Sequence, residues 1–129
     1  MTPPESGEGV VLLMDDEPSV LALARTAVER AGFRVLTATS GADGLELLRQ
    51  HQAEIVAVLV DITMPGMTGL DVLRSLREAD PQLPLMLMSG YTNTSLESMT
   101  DLKLAGFVAK PFTIGELSAA VKSAVGPQA

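Results

Sequence analysis

Six apolar residues in succession, Ile55 to Val60, stop at a lone aspartate, Asp61, and Pro65-Gly66 then forces a loop. An unbroken apolar run of strand length, with no polar alternation, is what a strand buried on both faces of a parallel sheet requires. A carboxylate placed at the end of such a strand is costly unless it has a partner or a task. In open α/β sheets the carboxyl ends of the strands are where ligand sites form. These facts lead to the expectation that Asp61 accepts a phosphoryl group and that other polar residues of the chain serve that event.

The remaining chain repeats the pattern. Val10 to Met14 is a first strand, ending in Asp15-Asp16-Glu17-Pro18. Proline suits a first helical turn and acids suit that end of the helix dipole. A helix to about Ala31 follows, with Val20, Leu23, Ala24, Ala27 and Ala31 at helical spacing, and Gly32 ends it. Phe33 to Ala38 is a second strand. Ser40 to Asp43 has capping-box spacing and opens a second helix through Leu45, Leu48 and Arg49. Ile55 to Val60 is the third strand, and Thr68 to Asp71 caps a helix to about Ala79, closed by Asp80-Pro81. Pro84 to Met88 is the fourth strand, and a helix from about Thr94 to Lys103 follows. Gly106 to Ala109 is a short fifth strand, and Thr113 to Glu116 caps a last helix with Ile114, Leu117, Ala120, Val121 and Ala124 inward. Strands alternating with helices over short connections imply a (βα)5 doubly wound parallel sheet, right-handed crossovers and helices on both faces. Strand order is not readable from this pattern. Residues 1–8 read as a flexible lead-in, 9–125 as the one domain, and 126–129 as a frayed tail.

Composition narrows the chemistry. The chain has 129 residues, 47% apolar, which suits a globular domain with one sizeable core. It has no cysteine and one histidine, which removes disulfides and thiolate sites and argues against zinc. His51, near the end of the second helix, reads as a cation placed against the dipole rather than as a phosphate carrier. The net charge of −7 repels phosphate backbones, so direct nucleic-acid binding is not expected. No apolar run approaches the roughly 18 residues of a membrane span, and no signal peptide is visible, so the expected location is cytoplasmic without membrane insertion.

Four strands end in groups that carry chemistry: Asp15 and Asp16, then Asp61, then Ser89, then Lys110. Parallel strands bring those ends to one edge. Each group alone has an ordinary reading: helix capping, a turn acid, a Ser-Gly turn, a solvated lysine. Together they make one site. Three carboxylates at one place would raise one another's pKa unless a cation joined them. All-oxygen ligation selects a hard ion, Mg²⁺ before Mn²⁺ or Ca²⁺. With the Lys110 ammonium and the Ser89 hydroxyl, the set suits a phosphoryl group attacked in line by a carboxylate oxygen.

The segments Met14 to Glu17, Val60 to Gly69, Met88 to Gly90 and Phe107 to Phe112 closely resemble the receiver domain of two-component response regulators, over roughly residues 9 to 125. The resemblance implies the flavodoxin-like strand order 2-1-3-4-5. It implies that Asp61 is phosphorylated from a phosphohistidine of a sensor histidine kinase or a histidine phosphotransfer protein. Mg²⁺ would be held by Asp16, Asp61 and the Thr63 carbonyl, with Asp15 acting largely through water. Lys110 and Ser89 would bind the phosphoryl group, and Phe107 would turn inward. The face formed by the fourth helix, fifth strand and fifth helix would then change, for a downstream protein or for self-association. Thr63 and Tyr91 would tune the phosphoryl lifetime. Two positions depart from the family's pattern: Thr68 where aspartate is frequent, and Phe107 where tyrosine is frequent, so no hydroxyl reports the switch.

Two competing readings remain at this level. A haloacid-dehalogenase-like phosphatase also uses an aspartyl phosphate, Mg²⁺ and lysine, but wants a second acid two residues after the nucleophile, where Thr63 stands. A pseudo-receiver would only dock, and the full set of acids, Ser89 and Lys110 argues against it. The Leu87 to Thr92 and Phe107 to Phe112 wording, with the linker-like start, also resembles receivers at the C-terminus of hybrid sensor histidine kinases.

Overall fold

The structure, a computed structural model, describes residues 9–61, 69–89 and 104–125, with only the backbone of Gly69, Leu70 and Ser89. Its elements are β1 (Val10–Met14), α1 (Pro18–Arg30), β2 (Arg34–Ala38), α2 (Gly41–His51), β3 (Ile55–Asp61), α3 (Gly69–Ala79), β4 (Leu85–Ser89), β5 (Gly106–Ala109) and α4 (Ile114–Val125). The expected helix at 94–103, the Pro65-Gly66 loop, the lead-in and the tail lie outside the described residues.

The five strands form one parallel sheet in the order β2-β1-β3-β4-β5, the flavodoxin-like order. Alternate residues of each strand feed two separate cores. Leu12, Met14, Val58, Val60, Leu85 and Leu87 pack with Leu48 of α2 and with Val72, Leu73 and Leu76 of α3. Val11, Leu13, Ala57, Leu59, Met86 and Met88 pack with Leu21, Ala24, Ala27 and Val28 of α1 and with Leu117 and Val121 of α4. Helices therefore cover both faces, and each fully buried leucine contributes about 1.5–3 kcal/mol of transfer free energy.

The ladder between β1 and β3 slips by one residue. Val10 pairs with Ile55 but Val11 pairs with Ala57, so Val56 is a bulge. The side-chain period of a strand is two, so the extra residue decides which face every later residue of β3 meets. Beyond it, Ala57 and Leu59 face the α1/α4 side.

Local signals account for three of the helix ends. Ser40 Oγ accepts from the Asp43 amide at 3.1 Å. Thr113 and Glu116 form a reciprocal capping box, the Thr113 amide donating to Glu116 Oε1 at 2.9 Å and the Glu116 amide to Thr113 Oγ1 at 3.0 Å. Gly32, at φ +104°, follows α1 in the left-handed region, where a Cβ would be strained. Gly44 of α2 lies directly against Met14, whose side-chain end a Cβ there would displace.

The inward face of α1 differs from expectation. Leu23 is 37% exposed, whereas Leu21 and Val28 are buried with Ala24 and Ala27. The helix is apolar around much of its surface, and its packing against β1 and α4 sets the phase that spacing alone leaves open. Strand ends shift by one residue: β2 starts at Arg34, with Phe33 buried just before it, and β4 runs from Leu85 to Ser89.

Candidate functional site

Register and parity together place the acids. Met14 pairs with Val60, so Asp15 and Asp61 come next on adjacent strands. Both continue the residue parity that faces α1 and α4. Asp61 pairs with Met88, and Met88 with Val108, so Lys110 lies two residues beyond their level with the same parity. Its long side chain reaches back across β4.

The result is a compact ionic cluster. Lys110 Nζ lies 2.9 Å from Asp15 Oδ2 and 3.2 Å from Asp61 Oδ2. The Asp15 side chain is 0% exposed, Asp61 1% and Lys110 15%. Asp15 is further fixed by its own backbone, whose amide donates to the Ala38 carbonyl at 3.1 Å, and by the Glu17 amide, which donates to Asp15 Oδ1 at 2.9 Å. Asp16 stands exposed at the mouth. Asp15, Asp16 and Asp61 each offer a carboxylate oxygen within 4.8 Å of the others.

Charge and burial oppose one another here. Burial pushes the Asp15 carboxyl above its usual value; the Glu17 amide and Lys110 work against this, and the Asp61 charge adds to it. Mutual repulsion was the expected cause, but desolvation is the larger one, because Asp15 sits at the floor and not at the mouth. Burial alone would lower the Lys110 pKa. Asp15 and Asp61 outweigh it and hold the ammonium above its usual value, so it is charged at neutral pH.

The donor set fits a hard divalent cation. Asp15 Oδ2 is buried and, despite its ion-pair distance from Lys110, lacks a well-directed hydrogen bond. A buried carboxylate oxygen with spare lone pairs, beside two further acids and no nitrogen or sulfur donor, matches the all-oxygen preference of Mg²⁺.

Of the residues singled out from sequence, Asp15, Asp16, Asp61 and Lys110 meet at one place. Ser89 ends β4 opposite Ala109, and its side chain lies outside the described residues, as do Thr63 and Tyr91. Phe107 is half-buried against the α2/α3 core. It also borders a groove of about 250 Å³ with Val108, Phe112 and Glu116. His51 lies at the opposite edge of the sheet, 3.6 Å from Glu54. One residue was missed. Glu17 Oε1 lies 3.6 Å from Lys110 Nζ. Its position beside the Asp-Asp pair was the available signal, but an acid before a helix reads first as dipole compensation.

A flavodoxin-like sheet with an acidic cluster and a lysine at its carboxyl edge is the arrangement that the receiver resemblance implies. Residues 11–122 match the model of the response regulator receiver domain, and the chain belongs to that family. The sensor kinase CckA of Brucella abortus is 34% identical over 95% of this chain, which spans 13% of that protein. The transcriptional regulatory protein KdpE of Mycobacterium tuberculosis is 33% identical over 90% of the chain, which spans 50% of it. A receiver domain protein from Clostridium thermocellum superposes with a TM-score of 0.82 at 28% identity, covering 91% of this chain and 94% of that one. The response regulator TrrA of Thermotoga maritima, in complex with Mg²⁺ and beryllium fluoride, gives a TM-score of 0.80 at 26% identity, covering 90% and 98%. Among the described residues, no helix is long and apolar enough to cross a membrane.

Proposed function

We propose that this domain is a phosphoacceptor switch in which Asp61 takes a phosphoryl group from a histidine of a sensor kinase or phosphotransfer protein. The observation that carries this reading is the Lys110 ammonium shared between two buried acids, 2.9 Å from Asp15 and 3.2 Å from Asp61. An Asp61 oxygen forms the new P–O bond as the P–N bond to the imidazole breaks, and the ring nitrogen keeps the electron pair and takes a proton. Lys110 is the fixed cation beside the incoming charge. Mg²⁺, or Mn²⁺ in its place, would be held by Asp16, Asp61 and the Thr63 carbonyl, with Asp15 acting through water, and would neutralise charge on the phosphoryl oxygens.

Ser89 is assigned a hydroxyl contact to the phosphoryl group, and Thr63 and Tyr91 the control of water access. Phe107 is assigned the inward turn that follows. Its half-buried place beside a groove supports two alternative packings, one of them favoured by the new covalent charge. The face that changes comprises the 94–103 segment, β5 and α4, and it serves a downstream partner or self-association. The domain accepts phosphate and assists its own loading and release; it is not a turnover enzyme. The likeness to the sensor kinase CckA supports a hybrid-kinase receiver over a stand-alone regulator.

With Mg²⁺ and a small phosphodonor the chain takes up one phosphate per molecule, and Asp61→Asn abolishes uptake. Many turnovers on a phosphate monoester would instead establish the phosphatase reading. No labelling despite bound Mg²⁺ would leave only docking.

A further inference from the structure

The acidic rim holds one carboxylate more than a cation site needs. Asp15, Asp16 and Asp61 form the group able to hold an ion. Glu17 is outside it, yet its Oε1 lies 3.6 Å from Lys110 Nζ, with the Glu17 side chain 59% exposed. Its backbone is pinned on both sides. The Glu17 amide donates to Asp15 Oδ1 at 2.9 Å, and its carbonyl accepts from the Leu21 amide at 3.1 Å as the first turn of α1. Glu17 occupies the N-cap position of α1, but its side chain caps nothing. An N-cap side chain ordinarily satisfies an orphan amide of the first turn. Here it faces the lysine instead, from the solvent side.

Resting on the phosphoacceptor reading, we propose that Glu17 is a positioning residue for phosphoryl transfer, a third counter-ion that shares Lys110 with the buried acids and selects against doubly charged donors at the mouth. Two consequences follow from its place. Glu17 draws on the same ammonium that an arriving phosphoryl group meets, from 3.6 Å on the solvent side. Its own charge also repels the donor, in proportion to the donor's charge and screened by salt because the carboxylate is exposed. A carrier protein presents its phosphoryl group with other contacts to offset this; a small free anion has none.

The test compares two small donors on the intact chain with Mg²⁺. Acetyl phosphate carries two negative charges near neutral pH, and phosphoramidate carries one. In each case Asp61 forms a P–O bond while the donor's bond to phosphorus breaks, the electron pair leaving with acetate or with ammonia. Glu17→Gln is expected to raise the acetyl phosphate rate by about twofold to fivefold and the phosphoramidate rate by less, with the gap closing as salt rises. Glu54→Gln, which removes the same charge at the opposite edge of the sheet, should leave the ratio of the two rates unchanged. An equal change for both donors, no change for either, or an equal response to Glu54→Gln would overturn the assignment while leaving Asp61 as the acceptor. Failure of the wild-type chain to label with either donor would overturn both readings.

Discussion

The two edges of the sheet are built on opposite terms. At the amino edge polar groups find partners. Arg77 Nη1 donates to the carbonyls of Asp80, Pro81 and Leu83 at 3.3, 2.9 and 2.7 Å, tying α3 to the turn that enters β4. Gln52 Nε2 donates to the Ala79 carbonyl at 3.2 Å, joining the ends of α2 and α3. At the carboxyl edge, three carboxylates crowd one ammonium, Asp16 stands beside two of them, and a buried oxygen of Asp15 is left without a directed hydrogen bond. The first edge satisfies its polar groups; the second holds buried acids against the cost of their desolvation.

That contrast can be broken by moving one residue at a time. The largest effect belongs to Asp16→Asn. Removing one carboxylate from the ion-binding group should weaken Mg²⁺ by about 100-fold, near 2.7 kcal/mol, read by titration calorimetry. Because Asp16 is exposed, Mg²⁺-free stability should change by less than about 0.5 kcal/mol. A large loss of Mg²⁺-free stability would mean that the carboxyl edge is structural after all. Next comes Arg77→Ala, expected to cost about 1–3 kcal/mol in chemical denaturation by stranding loop carbonyls, with the phosphorylation rate unchanged. A slowed rate would show that the amino edge also serves the chemistry.

The smallest effect is a pH dependence. The folded chain holds the Asp15 proton more tightly than the unfolded chain does, since burial raises the Asp15 pKa above its ordinary value. The Mg²⁺-free protein should therefore lose stability as pH rises from about 4 through the raised value, and Asp15→Asn should remove that component. Mg²⁺ requires the charged carboxylate, so saturating Mg²⁺ should flatten or reverse the slope. A component of opposite sign in Mg²⁺-free buffer would contradict the burial of Asp15.

Much of this was legible in the order of residues. The strands were, because buried parallel strands are written as plain apolar runs. So were Asp15, Asp16, Asp61 and Lys110, because each interrupts or ends such a run with a charge that a core does not tolerate. Strand order was not, since it depends on which runs pair and not on what they contain; it came through the family resemblance. The phase of α1 was misread, Leu23 for Leu21, because leucine and alanine on several sides leave packing to choose. Glu17 was hidden by an equally good local explanation. The Val56 bulge leaves no trace, since a run with no alternation cannot display a skipped beat.

That skipped beat has a consequence for how the domain can evolve. Deleting Val56 would keep the strand's composition but rotate Asp61 into the opposite layer of the sandwich, away from Asp15 and Lys110. A chain altered in this way would keep its apolar runs while separating Asp61 from Asp15 and Lys110. Loops around the molecule can lengthen or shorten; between Val56 and Asp61 the count of residues is itself part of the chemistry.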